Sequence, residues 1–240
     1  MNRRQSIGTI AGAVVATVAA TRVSSAQAKK PALTPVAPGG HKPVPLPFNP
    51  AKLPGLSEKL LTSHHDNNYA GAVKNLNAVE LELDKVTKDT PGFVVAGLRE
   101  RELTYANSAF LHERYFENLG GDGKPSGDFA KALATQFGTE GRWEELARAT
   151  AMALGGGSGW VVIALSPLTN DLRIVGTGGH ALALAAGTPM LVLDMFEHAY
   201  AIDFGAAHAK YIDAYFANIQ WSEVDQRLGR GDKALGALRG

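Results

Sequence analysis

A carboxylate and an imidazole four residues apart, at the end of an apolar run, are the first candidates for chemistry in this chain. Met190-Leu191-Val192-Leu193 leads into Asp194-Met195-Phe196-Glu197-His198. If the chain turns helically after that strand, Asp194 and His198 share one face. A carboxylate with neutral imidazoles suits Mn or Fe better than a soft metal. Two more histidines lie far upstream. His64 heads a stripe with Asn68, Ala72 and Asn75, and His112 sits among Phe110, Leu111, Tyr115 and Phe116. The chain has no cysteine, so it has neither a disulfide framework nor a thiolate site. Any metal is held by His, Asp or Glu. Taken singly, each residue has an ordinary reading. Asp-x-x-x-His reads as an exposed acid–histidine pair, the His64 stripe as a solvated face, and His112 as a satisfied core histidine. In combination they gain meaning: two antiparallel helices can each bring one histidine to the lobe that carries Asp194 and His198.

The elements that must position them follow from the periodicity. Tyr69, Val73, Leu76, Val79 and Leu83 recur at three- and four-residue spacing and predict a helix from about Leu56. Lys88-Asp89-Thr90-Pro91-Gly92 breaks it. A second long helix is expected from Phe93 to Leu119, ending at Gly120-Gly121-Asp122-Gly123. Shorter helices are expected over 128–136 and 140–154. Strands follow at Trp160–Leu165, Leu172–Val175 and Met190–Leu193, then a helix over 209–219 and a short one after Trp221. The layout is α+β with an all-helical N-terminal lobe.

The N-terminus reads as an address rather than as structure. Arg3-Arg4 precedes an apolar stretch, Ile7 to Ala20, and Ala26-Gln27-Ala28 offers a small-residue cleavage site. That stretch is about 14 residues long, short of the roughly 20 that span a bilayer. Residues 1–28 are therefore expected to be a twin-arginine signal, an ordinary signal peptide or uncleaved anchor being the alternative. Export would place the chain in the periplasm or outside the cell. Residues 29–50 read as a flexible proline-rich leader, 51–120 as the hairpin domain, 121–230 as the C-terminal domain and 231–240 as a flexible tail. Removing residues 1–28 takes away Arg3, Arg4 and Arg22 and no acid. The 24 basic residues fall to 21 against 23 acidic ones, and the net charge goes from +1 to −2. That balance gives no electrostatic reason to expect nucleic acid or an anionic membrane as partner. No later segment has the length and apolarity of a membrane span.

The motifs resemble those of one family. Asp194-Met195-Phe196-Glu197-His198-Ala199-Tyr200 is similar to the D-x-W-E-H-A-Y signature of iron/manganese superoxide dismutases. Gly157-Ser158-Gly159-Trp160, Phe137-Gly138 and Asn218-Ile219-Gln220-Trp221 resemble further family segments in the same order. His64 with Asn75-Leu76-Asn77 resembles its first-ligand helix, and His112 falls where the second ligand is expected. The resemblance covers about 46 to 228. It implies a long helical hairpin packed on an α/β lobe with a small three-stranded antiparallel sheet. It also implies one Fe or Mn ion per subunit, held by His64, His112, Asp194 and His198, and a homodimer. Superoxide would be the substrate, converted to O2 and hydrogen peroxide as the metal alternates between its +3 and +2 states. By the same analogy Glu197 orients His198 of the partner subunit, while Trp160, Tyr200 and Asn68 surround the site.

The surroundings of the ligands depart from the family pattern in several places. Where the family carries a tyrosine eight residues after the first ligand, this chain has Ala72. Where it carries a histidine four residues after that ligand, this chain has Asn68, and the second tyrosine of E-H-A-Y-Y is Ala201. The glutamine that typically contacts the metal-bound solvent has two possible positions, which here hold Ser108 and His180. His180 is the candidate catalytic donor, a plain loop histidine after Gly178-Gly179 being its other reading. Phe110 and Phe116 stand where tryptophans often wall the site. The competing expectation is therefore a non-catalytic or weakly peroxidatic relative that has kept the metal and lost the proton relay.

Overall fold

The computed structural model describes residues 37–139, 141–182 and 187–239. The expected signal, 1–28, and the first part of the leader lie outside them. Ser57 starts the first helix: its hydroxyl accepts the Leu60 N–H at 3.0 Å. Helix α1 (Glu58–Ser63) runs into a π-helical segment, His64–Tyr69, and then into α2 (Ala70–Leu83). The periodicity had predicted one uninterrupted α-helix. In the wider π turn the buried residues, His64 and Tyr69, stand five apart, the span of one i→i+5 hydrogen bond, where α spacing would be three or four. Helix α3 (Gly92–Glu117) returns antiparallel to close the hairpin. All its buried residues, from Ser108 to Phe116, lie in its second half, where it meets the C-terminal lobe.

That lobe contains α4 (Gly127–Phe137), α5 (Arg142–Leu154), β1 (Trp160–Leu165), β2 (Leu172–Thr177), β3 (Thr188–Asp194), α6 (Ala201–Phe204), α7 (His208–Phe216) and α8 (Trp221–Arg239). The sheet is antiparallel in the order β2-β1-β3. Its central strand is buried at every residue, as a strand paired on both sides and covered on its faces must be. Trp160 pairs with Thr177 on one side and with Asp194 on the other. The expected tryptophan and aspartate thus sit in one row at one end of the sheet. Gly159, just before that row, has φ 157°, and a Cβ there would collide with the Thr177 carbonyl oxygen. No side chain fits at that position.

The outer edge of β3 is closed by side chains in place of a fourth strand. The Asn118 carboxamide accepts the Val192 N–H at 2.8 Å. Arg227 donates to the Met190 carbonyl at 2.5 Å. Tyr215 donates to Val192 O at 2.6 Å and Tyr211 to Asp194 O at 2.7 Å. A buried strand edge has to find such partners.

Two segments are more ordered than the sequence suggests. Residues 37–50, read as part of a flexible leader, strap the hairpin. His41 N–H and C=O bond the Asn77 carboxamide, both at 2.9 Å, and the His41 ring meets Glu80 at 2.8 Å. Val44 N–H reaches the Tyr69 hydroxyl at 2.9 Å. Low apolar periodicity concealed this, because the attachment is by hydrogen bonds. Likewise, α8 extends through Arg239 into the expected tail. Trp221, Val224 and Arg227 line one face at three-residue spacing, and a buried arginine does not read as a core residue. No helix among the described residues is long and apolar enough to cross a membrane.

Replacing Asn118 with Ala leaves the buried Val192 N–H without an acceptor. The expected cost is about 1–3 kcal/mol, read as a lower urea midpoint for the metal-free protein. An unchanged midpoint would mean that this contact does not hold the strand.

Candidate metal centre

Four side chains from distant parts of the chain converge at the end of β3. His64 comes from the π segment, His112 from α3, Asp194 from the last position of β3, and His198 from a short 3-10 turn, Glu197–Ala199. Their nearest ligand atoms all lie within 4.8 Å of one another. Nε2 of His64, His198 and His112 stands 3.1, 3.3 and 3.6 Å from Asp194 Oδ2. The other carboxylate oxygen accepts the Phe196 N–H at 2.8 Å, which fixes the carboxylate plane. His64, His112 and Asp194 are buried, while His198 is a quarter exposed.

The protonation states suit a cation. Burial pushes the His112 imidazole down to about 3, assisted by the neighbouring His64. Burial also lowers His64, against the pull of Asp194. Burial alone would raise the Asp194 carboxyl, but hydrogen bonds from His198 and His64 outweigh it and hold the group below the usual carboxylate range. His112 Nδ1 donates to the Ser108 carbonyl at 2.7 Å. Its Nε2 lone pair therefore faces the cluster, where this buried atom has no hydrogen-bond partner. An orphaned, unprotonated nitrogen beside a carboxylate is a ligand waiting for a cation. The set of three imidazoles and one carboxylate fits one Fe or Mn ion.

Aromatic rings wall the cluster. Phe116 lies 5.0 Å from the His64 ring and Trp160 5.1 Å from the His112 ring, centroid to centroid. Phe196 stacks on both His198 and His180. The Trp160 indole N–H donates to His180 Nδ1 at 2.9 Å, which leaves the His180 proton on Nε2. His180 is thus held beside the site, not free in a loop, and burial lowers its pKa. A cavity of about 220 Å³ opens onto the cluster, lined by Asn67, Asn68, Gly71, Ala72, Asn75, Tyr105, Ser108, His112, His180 and His198. A larger, mainly apolar cavity of about 350 Å³ lies between α3 and the sheet; no titratable side chain lines it.

The other expected residues divide. Asn68 lines the small cavity. Tyr200 is buried one layer back, its ring against His208 and Tyr211. The Glu197 side chain is exposed. Phe110 is a correction. It is 43% exposed, with the Arg114 guanidinium 5.1 Å from its ring centre. It precedes His112 by two residues, about 200° around the helix, and so faces away from the site. Tyr69 also turns away. Its hydroxyl donates to Glu113 at 2.8 Å, and burial pushes its pKa up to about 12. Sequence reasoning missed Tyr211, whose hydroxyl holds the Asp194 carbonyl. Its only signal was a tyrosine on an apolar helical face.

The family of iron/manganese superoxide dismutases, C-terminal domain, matches residues 125–227. The chain is 47% identical over 185 residues to an iron superoxide dismutase of Cupriavidus metallidurans, covering 77% of this chain and 94% of that one. The chain belongs to the iron/manganese superoxide dismutase family. A manganese superoxide dismutase of Haloarcula marismortui is 32% identical over 75% of this chain and 89% of its own. A Mn/Fe superoxide dismutase of Aeropyrum pernix is 31% identical over 77% and 88%. Both metals thus occur among relatives of this dismutase-family chain. The altered positions of the family pattern, Asn68 and Ala72, together with Ser108 and His180, meet in the one small cavity.

Replacing His112 with Ala should empty the centre. The metal-to-protein ratio would fall to a small fraction of the parent's. The unfolding midpoint of metal-loaded protein would drop to that of the metal-free form, because metal binding is coupled to folding. Full occupancy in the variant would rule out this ligand set.

Proposed function

We propose that the chain dismutates superoxide at a single Fe or Mn ion held by His64, His112, Asp194 and His198. The observation that carries this reading is the convergence of those four ligand atoms at the base of a small cavity, within a family of superoxide dismutases. When bound, the ion supplies one-electron redox chemistry, so that one superoxide is oxidised to O2 and a second reduced to hydrogen peroxide.

The chain's own groups do the rest. Asp194 offsets the ion's positive charge, and its Oδ1 contact with the Phe196 N–H keeps Oδ2 turned toward the histidines. Ser108 fixes the His112 tautomer. Trp160 fixes that of His180, which holds a proton at Nε2 beside the cavity and serves as the candidate catalytic donor. Phe116, Phe196 and Trp160 exclude water from the ligand side. The cavity lining has no Lys, Arg, Asp or Glu; the attraction for an anion comes from the centre itself. Asn68 puts a neutral carboxamide at the wall where the family carries a histidine, and Tyr200 supports Tyr211 from behind.

Two wider readings accompany this one. The exposure of Glu197 supports a homodimer in which it pairs with the partner subunit's His198. Arg3-Arg4 and the apolar run after it support export by the twin-arginine route, so that the enzyme would act on superoxide outside the cytoplasm.

Superoxide decay followed by stopped flow, on protein loaded separately with Fe and with Mn, tests the activity. Fast decay that scales with metal content is expected with at least one of the two. Full occupancy with decay no faster than metal-free protein would leave a metal-binding or peroxidatic relative. Glu197→Ala should weaken self-association in sedimentation velocity by about tenfold or more, and an unchanged dimer affinity would remove the cross-interface role.

A further inference from the structure

Dismutation of two superoxide anions consumes two protons, and both end on the peroxide. Apart from the His180 Nε2–H, few groups near the centre are free to give one. Of the six tyrosines, four have hydroxyls engaged elsewhere. Tyr69 donates to Glu113, and Tyr215 donates to Val192 O. Tyr211 donates to Asp194 O and lies 3.3 Å from the Tyr115 hydroxyl. Tyr200 is buried against His208 and Tyr211, away from the cavity. The Ser108 hydroxyl sits 3.4 Å from His112 Nδ1.

Tyr105 is different. It lines the cavity together with His112, His180 and His198. Its side chain is only partly buried, and its hydroxyl makes no hydrogen bond among the described residues. Tyr105, Ser108 and His112 are spaced i, i+3, i+7 on α3 and so share one face. Seven residues place Tyr105 about 10.5 Å from His112 along the helix, toward the tip of the hairpin. Asn75 lies on the same side along antiparallel α2. The ring therefore stands in the outer part of the cavity. The carboxamides of Asn68 and Asn75 line that cavity too, and neither is engaged by another described side chain.

We propose that Tyr105 is a catalytic proton donor of this cavity, a role that rests on the dismutase reading above. The superoxide that is reduced takes the electron released when the preceding superoxide left as O2. The Tyr105 O–H bond breaks as its proton passes inward through cavity water, and an O–H bond forms on the peroxide. The second proton is the one that His180 holds at Nε2 beside the cavity, and solvent water restores it there. The phenolate oxygen regains its proton from water at the cavity mouth, beside Asn68 and Asn75.

The test compares Tyr105→Phe with the parent, each loaded with Fe and with Mn and matched for metal content and unfolding midpoint. Superoxide decay is followed by stopped flow in H2O and in D2O, and azide affinity is read by absorption titration of the metal centre. The variant is expected to keep its metal and its midpoint. It should lose about tenfold or more in decay rate, part of the solvent isotope effect, and severalfold in azide affinity, because phenylalanine has no O–H to give an anion in the cavity. A parent that dismutates and a variant that matches it in rate, isotope effect and azide affinity would overturn the assignment alone. A metal-loaded parent that does not dismutate would overturn both this assignment and the activity beneath it.

Discussion

A carboxylate removed entirely from water is the constraint on which this structure turns. Asp194 has no exposed surface, and an unpaired charge in that position would be strongly destabilising. Three imidazoles meet one of its oxygens and a backbone N–H meets the other. Burial disfavours a second, charge-bearing proton on the inner imidazoles, which limits how far they can neutralise the carboxylate. The arrangement is balanced by a cation, and the same burial that makes the carboxylate costly makes the ion's hold on it strong.

The rest of the lobe serves that one residue. The sheet puts Trp160 beside Asp194, and Trp160 in turn fixes His180. The edge of β3 is closed by Asn118, Arg227, Tyr215 and Tyr211. These side chains come from the chain just after α3 and from α8 and α7, so both lobes and the C-terminal helices share in fixing the strand that ends at the carboxylate. The hairpin contributes two histidines from opposite directions, and the strap at 37–44 ties the leader to the helix that carries the first.

Much of this was legible in the sequence, and the exceptions have physical causes. The ligand set was implied by resemblance: the Asp194–Tyr200 segment and the surroundings of His64 and His112 follow the family pattern, whereas each residue taken singly has an ordinary reading. The sheet could be read from its β-branched runs. The π turn at His64–Tyr69 could not, because α and π periods differ by about one residue over so short a stretch. Phe110 was misplaced by family analogy, although its two-residue offset from His112 argued against the assignment. The buried Arg227 and the strap escaped because hydrogen bonding leaves no hydrophobic pattern. His180 needed tertiary information: its contacts with Trp160 and Phe196 separate it from an ordinary loop histidine.

The single row formed by Thr177, Trp160 and Asp194 across the sheet has a further consequence. Side chains alternate between the faces of a strand, so a slip of one residue between β1 and β3 would turn Asp194 or Trp160 to the wrong side. A chain whose slip turned Asp194 away would bring only three ligands to the ion, without the charge that holds it. Metal content in a refolded sample would then count the molecules whose strands have paired in register, and the centre would double as a proofreader of its own sheet.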